Sequence, residues 1–303
     1  MTEAELARLY EFIEGGYRTP STFGRLRKGV SKKVRSLLAT PVEGAAVDRS
    51  KAVDPLTAVY RAEPVDTLVP VSVCRNVTLF GFGPGSFDAW QETARQLASE
   101  PDTPAGETVL ARFAATFQPG TAAEVLFSSP RADVPESSPL WRIDTADVRF
   151  FWPWSPEVRP WPANVPTDLR LPSHGPLGER VLELEVWRLK RLVASVKENG
   201  YRPLERDAIR GTLLMLGDKL RFIIRAGFHR VAVLAALGHD EVPVRLASGA
   251  QRLMSVDQLG TWPLVREGVF SPELADLLVD RLFAEDGSVM AERLGLGAGK
   301  DGA

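Results

Sequence analysis

Hydrophobic residues recur at helical spacing in the second half of this chain. Val186, Leu189, Val193 and Val196 lie three or four positions apart, and the pattern stops at Gly200. Residues at this spacing share one face of a helix, and glycine is a common residue just past a helix end. The pattern therefore predicts a helix with one buried face, ended by Gly200.

The segments around this helix follow the spacing of strands. Apolar residues alternate over 181–185, which is typical of a strand with one buried face. The apolar runs at 211–216 and 220–224 are predicted strands as well. The last two runs are joined by 217–219 and predict a hairpin. An apolar helix is predicted to follow from Gly227 to Gly238, and a Val-Pro-Val strand ends this part of the chain at 241–246.

The first half also alternates between helical and strand patterns. Residues 5–15 carry a helical stripe, and 68–72 and 77–82 are predicted strands. Further helices are predicted at 86–99, with Ser86 as N-cap, and at 106–117. Thr121 and Glu124 have the spacing of a capping box, and Ser271 followed by proline predicts a helix start near the C-terminal end.

These elements predict an α/β protein in four parts. We expect an N-terminal α/β region at 1–127, a linker or cover at 128–174, an α/β domain at 175–250 and a helical extension at 251–303. The second part is rich in proline and tryptophan, which is unsuited to a sheet interior. This part contains Trp152, Trp154 and Trp161. They either pack over the following domain as part of a cover or stack on a sugar or a base.

The composition limits the classes of partner that this protein is expected to bind. The chain of 303 residues has 37 basic and 39 acidic side chains, so no overall positive field attracts nucleic acid. The basic run at 25–35 has two interpretations. It is a patch that binds phosphates or an anionic membrane surface, or it is the solvated face of a helix. No long apolar segment or signal sequence is evident, and the single cysteine, Cys74, lies in an apolar run. We expect a cytoplasmic protein with a buried structural thiol.

The turn into the predicted helix at 228 carries the candidate chemistry. Gly227 permits a sharp turn that would aim the first N–H groups of the helix outward, and His229 and Arg230 follow in the first turn. Cationic side chains there oppose the helix dipole unless an anion binds. The alternatives are an anion site, or a core histidine beside a surface arginine.

The order of elements from 184 to 246 resembles the nucleotide-binding core of ParB-type partition proteins and sulfiredoxins. The resemblance implies that Gly227, Phe228, His229 and Arg230 contact a polyphosphate and that the corner of Asn199, Gly200 and Pro203 flanks the nucleotide. Phe228 replaces the catalytic cysteine of sulfiredoxins, which excludes their reaction. Free serine kinases of this fold have a similar Gly-His-His-Arg turn, although Ala226 replaces their aspartate.

The same resemblance implies a kinase-like general base. Glu183 or Glu185, expected on one face of a strand, would take the position of the kinase glutamate, with His229 as a further catalytic residue; both carboxylates are equally consistent with a solvated strand face. Glu198 is a candidate Mg²⁺ ligand through water, or a surface residue. The remaining sequence is similar to uncharacterised members associated with glycan biosynthesis.

The leading hypothesis is an enzyme that uses ATP or another nucleoside phosphate and Mg²⁺ to phosphorylate a small hydroxylated acceptor, a sugar or an amino acid. The second hypothesis is a nucleotide-gated switch or binding module without small-molecule turnover. A ParB-like DNA binder is the third and is disfavoured, because the residues after Leu246 lack a clear helix-turn-helix pair.

Overall fold

The computed structural model shows a mixed α/β protein built on one mixed sheet. It describes residues 1–16, 55, 65–76, 78, 80–127, 134–148, 151–163, 165–170, 173–202, 208–246 and 253–296. The basic run at 25–35, Pro203 and the last seven residues lie outside the described residues. Within the described ranges, no helix combines the length and apolar character needed to cross a bilayer.

Six strands in the described residues form the sheet, in the order β1-β5-β3-β4-β2, with β6 also paired to β3. The β3–β4 hairpin and the β1–β5 pair are antiparallel, whereas β5 and β6 run parallel to β3 and β2 runs parallel to β4. The strands are β1 Val65–Pro70, β2 Cys74–Arg75, β3 Ile209–Leu216, β4 Lys219–Ala226, β5 Glu241–Leu246 and β6 Leu253–Ser255.

Helices of the described residues cover both faces of this sheet. They are α1 Glu3–Gly16, α2 Ala89–Ser99, α3 Val109–Thr116, α4 Ala122–Phe127, α5 Glu179–Asn199, α6 Phe228–Ala236, α7 Pro263–Arg266, α8 Pro272–Ala284 and α9 Ser288–Arg293. Short 3₁₀ turns lie at Val71–Val73, Ala105–Glu107, Pro139–Arg142, Thr167–Leu169 and Val256–Thr261.

The first face of the sheet packs against α2, α5 and α6. Alternate strand residues such as Leu213, Phe222 and Val244 meet the buried stripes of these helices in one hydrophobic core. Cys74 is fully buried in the same core, as expected. Burial raises the pKa of the Cys74 thiol to about 12, so it stays protonated and structural.

The second face is covered by α4, the proline- and tryptophan-rich segment and the C-terminal helices. Leu214 and Ile223 point to this side and meet Trp152, Trp262 and Phe270. The indole rings of Trp154 and Trp152 stack with their centroids 5.1 Å apart, so each ring covers one face of the other. The packing interpretation of Trp152 and Trp154 therefore fits the structure better than a free stacking platform.

Several sequence predictions are confirmed. The hairpin, the helix end at Gly200 with φ +69°, and the turn at Gly227 all form as expected. Thr121 and Glu124 make the reciprocal bonds of a capping box, and the Ser271 side chain caps α8. The cap of α2 was misplaced: Asp88, not Ser86, accepts from the N–H groups of Trp90 and Gln91.

The predicted strand at 181–185 is wrong, because these residues form the first turns of α5. Val181 and Leu184 are both buried, and their spacing of three positions fits a helix and not a strand. Alternation over only five residues is too short to separate the two periods. Glu183 and Glu185 consequently do not share a face, since two positions along a helix turn the side chain by about 200°. The predicted strand at 77–82 is also absent: the described residues there are irregular except for an isolated bridge between Gly81 and Arg75.

The four-part division stays a prediction, but the sheet and the core cross its boundaries. β1 belongs to the first part and pairs with β5 of the third. The core of the first face likewise contains Trp90 and Phe113 beside Leu189 and Val231. The C-terminal part is anchored to the sheet, because Arg75 and Arg221 both donate to the carbonyl of Leu282 near the end of α8.

Candidate functional site

The turn from β4 into α6 depends on a glycine. Gly227 has φ +85°, a conformation that side chains with a Cβ rarely adopt. A Cβ at this position would also lie 2.9 Å from the Cα of Ile209 on β3 and 3.3 Å from a guanidinium nitrogen of Arg230. The close approach of two backbones fixes where α6 begins, and it brings the Arg230 side chain back beside the turn.

A buried carboxylate lies beside the start of α6. The Glu185 side chain is 5% exposed and accepts three hydrogen bonds. The donors come from three helices: Trp90 Nε1 of α2 at 2.7 Å, His229 Nε2 of α6 at 2.6 Å, and Arg188 Nη1 of α5 at 2.9 Å. Glu185 thus joins α2, α5 and α6 at one point.

The electrostatics of this cluster keep the carboxylate ionised. Burial alone would raise the pKa of Glu185, but the His229 contact, the Arg188 charge and the donated hydrogen bonds outweigh it and hold the pKa below its usual range. Burial, followed by the Arg188 charge, lowers the pKa of His229 despite the opposing effect of Glu185. The lowered pKa of His229 favours a neutral imidazole at neutral pH, and the Arg188 charge with the hydrogen bonds from Arg188 and Trp90 keeps the Glu185 carboxylate ionised beside it.

This arrangement fixes the tautomer of His229. An ionised carboxylate can only accept a hydrogen bond, so the proton of the neutral imidazole must lie on Nε2. The other ring nitrogen, Nδ1, then carries a lone pair, and it has no hydrogen-bond partner among the residues that the structure describes. Since the side chain is 20% exposed, the ring is only partly covered, and Nδ1 is the nitrogen left to accept a proton.

Phe228 has a packing role. Its ring lies edge to face against Trp90, with centroids 5.0 Å apart, and against Phe82 at 6.0 Å. The side chain is partly buried and packs against the core of the first face. The packing also orients α6, since Trp90 contacts both Phe228 and Glu185.

The remaining predicted residues are not brought to this cluster. Glu183 is on another face of α5, where it pairs with the Met1 amino group at 3.0 Å. Glu198, Asn199 and Gly200 lie at the C-terminal end of α5, about 20 Å along the helix axis from Glu185. The Asn199 side chain donates to the Ser195 carbonyl and to Glu198, both at 3.4 Å.

Two members of the cluster were missed by the sequence analysis. Arg188 follows Glu185 by three positions, and this spacing would have paired them once the segment was identified as helical. Trp90 lies 95 positions before Glu185, and no local signal in the sequence connects them. In the sequence, Trp90 is one of several apolar residues on the buried face of an amphipathic helix.

Side chains that can ligate a metal are dispersed among the described residues. No group of three histidine, cysteine or acidic side chains suited to a metal ion occurs among them. The Glu185 oxygens already accept from three donors, and Glu198 is far from them along α5. The role of Glu198 as a Mg²⁺ ligand through water therefore stays a prediction, separate from the Glu185 cluster.

Comparison with known proteins found no relatives: no family model, curated protein or solved structure matches this chain.

Proposed function

We propose that this protein binds a phosphate-bearing small molecule, most simply ATP or another nucleoside phosphate, at the N-terminus of α6 and transfers a phosphoryl group to a small hydroxylated acceptor. The observation that supports this most is the 2.6 Å contact between Glu185 and His229 in the first turn of that helix. It couples a buried carboxylate to a partly exposed imidazole beside N–H groups that favour an anion.

His229, rather than Glu185, is the base in this proposal. The Glu185 carboxylate has three donors and a lowered pKa, both of which make it a poor proton acceptor. It instead holds His229 with the proton on Nε2, as a carboxylate orients the histidine of a catalytic triad. Glu185 is thus a positioning residue.

The chemistry balances with these groups. The acceptor hydroxyl gives its proton to Nδ1 of His229 as its oxygen forms a bond to the terminal phosphorus, and the bond from that phosphorus to the bridging oxygen breaks. The nucleoside diphosphate leaves with the electron pair. The N–H groups of the α6 tip and Arg230 would stabilise the charge on the transferring group.

The order of elements supports the phosphate-binding part. A helix ended by glycine, a hairpin, a glycine turn into a second helix and a proline-containing strand follow one another as in the ParB/sulfiredoxin-like core. In that core the polyphosphate lies at the tip of the second helix. The glycan setting suggested by the sequence would make a sugar hydroxyl the acceptor.

A nucleotide-gated switch is the second candidate, and the same cluster favours it. Glu185 joins α2, α5 and α6, so a ligand that draws His229 away would weaken contacts among three helices at once. Turnover separates the two functions. A kinase produces a phosphorylated small molecule, whereas a switch shows at most slow hydrolysis.

Nucleotide-dependent thermal stability tests binding first. The melting temperature is measured with ATP, ADP, GTP and a non-hydrolysable ATP analogue, with and without Mg²⁺. A ligand that binds the native state raises it by mass action. We expect a rise for the wild type, a smaller rise in His229→Ala, and an unchanged rise in Arg112→Ala, which removes an exposed arginine of α3. No rise with any nucleotide in the wild type excludes both functions.

A further inference from the structure

Three arginines lie side by side at the end of the sheet where β4 leads into α6. Arg210 of β3 is the direct cross-strand partner of Arg245 of β5. On its other side Arg210 pairs with Ala226, where β4 has a register irregularity that places Arg225 next to it. We name Arg210, Arg225 and Arg245 the arginine row.

The row faces the second side of the sheet. Side chains alternate along a strand, and Leu214 and Ile223 are buried on the second face. Arg210 is four positions from Leu214, and Arg245 lies between Val244 and Leu246, which point to the first face. Arg225 is the extra residue of the irregularity beside Arg210. Arg210 and Arg225 are exposed and Arg245 is partly exposed, so the covering helices leave this end of the sheet open.

Like charges on directly opposed strand positions destabilise a sheet. Arg245 is compensated by Asp66 of β1, whose carboxylate it binds in a fork with distances of 2.7 and 2.8 Å. Arg225 and Arg245 make further contacts. Arg210, the central member, makes no hydrogen bond or ion pair with any residue that the structure describes.

We propose that the arginine row binds a ligand carrying two or more consecutive phosphate groups. The row spans two inter-strand spacings, about 10 Å, which is more than one phosphate can bridge. Arginine binds phosphate oxygens through its planar fork, and the Arg245–Asp66 pair already holds an oxyanion in this geometry. The uncompensated charge of Arg210 at the centre gives such a ligand its main contact.

The arginine row is distinct from the proposed phosphotransfer site. It lies on the second face, whereas His229 and Glu185 lie among the helices of the first face. Ligand binding at the row therefore does not depend on the proposed function. The row is a second anion-binding surface, suited to a polyphosphate chain or to the diphosphate of an activated small molecule.

Calorimetric titration with inorganic tripolyphosphate, in the presence of a chelator, tests this inference. We expect Arg210→Gln to weaken binding by about tenfold, as for loss of one charge-assisted hydrogen bond. Arg210→Lys should weaken it less, and Arg112→Gln should leave it unchanged. Orthophosphate should bind far more weakly than tripolyphosphate. Unchanged tripolyphosphate binding in Arg210→Gln overturns the inference.

Two further measurements separate binding at the arginine row from a structural role of Arg210 and from binding at α6. In low salt without ligand, Arg210→Gln should melt at the same or a higher temperature than the wild type, because it relieves the repulsion with Arg245; a lower melting temperature would indicate a structural role and contradict the inference. His229→Ala should retain the Arg210-dependent binding. If tripolyphosphate binding is lost in His229→Ala but kept in Arg210→Gln, the anion binds at α6, and the proposed binding at the arginine row is contradicted.

Discussion

The Nε2 atom of His229 lies 2.6 Å from a carboxylate oxygen of Glu185, across 44 positions of the chain. His229 lies in the first turn of α6 and Glu185 is buried within α5, and Trp90 of α2 donates to the same oxygen. Burial and the Arg188 charge lower the pKa of His229 and favour the neutral ring, and the contact with Glu185 then places its proton on Nε2. This state of the ring is open to measurement before any substrate is known.

The tautomer of His229 can be measured directly. The chain has three histidines, so imidazole nitrogen and carbon spectra are simple to assign with one His→Asn variant at a time. We expect the neutral ring of His229 to carry its proton on Nε2. In Glu185→Gln the pKa of His229 should fall further, because the carboxylate raises it in the wild type. A proton on Nδ1 would be incompatible with the proposed base.

Trp90→Phe should destabilise the protein by removing a donor to a buried charge. The loss of a hydrogen bond to a charged group costs about 1.5–3 kcal/mol. Trp262→Phe is the matched control, since Trp262 is also buried but its Nε1 has no hydrogen-bond partner in the structure. Urea unfolding should give Trp90→Phe the larger decrease in unfolding free energy, by about 2 kcal/mol. Equal decreases would mean that ring volume alone matters at both positions.

Gly227→Ala should cost more stability than Gly238→Ala. Both glycines have a positive φ, +85° and +81°, so both variants carry the conformational cost of about 1–2 kcal/mol. Only at Gly227 does the new Cβ meet a backbone atom, the Cα of Ile209, at 2.9 Å, whereas nothing lies within 4 Å at Gly238. We expect Gly227→Ala to lose about 1–3 kcal/mol more in denaturant unfolding. Similar losses would show that β3 can move away from the turn.

Asp88 should make stability depend on pH. Burial raises the pKa of this carboxyl from 3.8 to about 7, against the hydrogen bonds from Gln91, Asn76 and Trp90. Because the folded state holds the proton more tightly than the unfolded state, the contribution is present below pH 4 and is lost as pH rises through 7. The loss is up to about 4 kcal/mol.

Asp88→Asn tests this by removing the titration while keeping a good N-cap residue. Unfolding free energies are compared between pH 4 and 8, and the difference between wild type and variant is plotted. The difference should change in favour of the variant as pH rises. A constant difference would mean that the hydrogen bonds keep Asp88 ionised throughout.

The β3–β4 hairpin and the start of α6 were predictable because their signals are local. A glycine turn between alternating runs, or a glycine before a helical stripe, specifies its conformation over a few residues. The strand predicted at 181–185 is wrong because its local signal is too short. Five residues cannot distinguish periods of two and 3.6 when both place Leu184 on a buried face.

The site was only half predictable. His229 and Glu185 were named from the sequence, but with Glu185 on a strand and acting as the base. Whether a carboxylate accepts protons depends on its burial and on its donors, and two of the donors come from α2 and α6. Those contacts exist only in the packed structure, so no residue spacing could have revealed them.

The pairing of β1 with β5 has a consequence for synthesis. The edge strand at 65–70 emerges from the ribosome early, but its partner at 241–246 appears only when most of the chain has been made. Closing such a distant pair is slow, and until then the backbone edge of the early strand is exposed to other chains. Fragments that stop before 246 should consequently aggregate, and expression in cells should depend on chaperones that shield this edge.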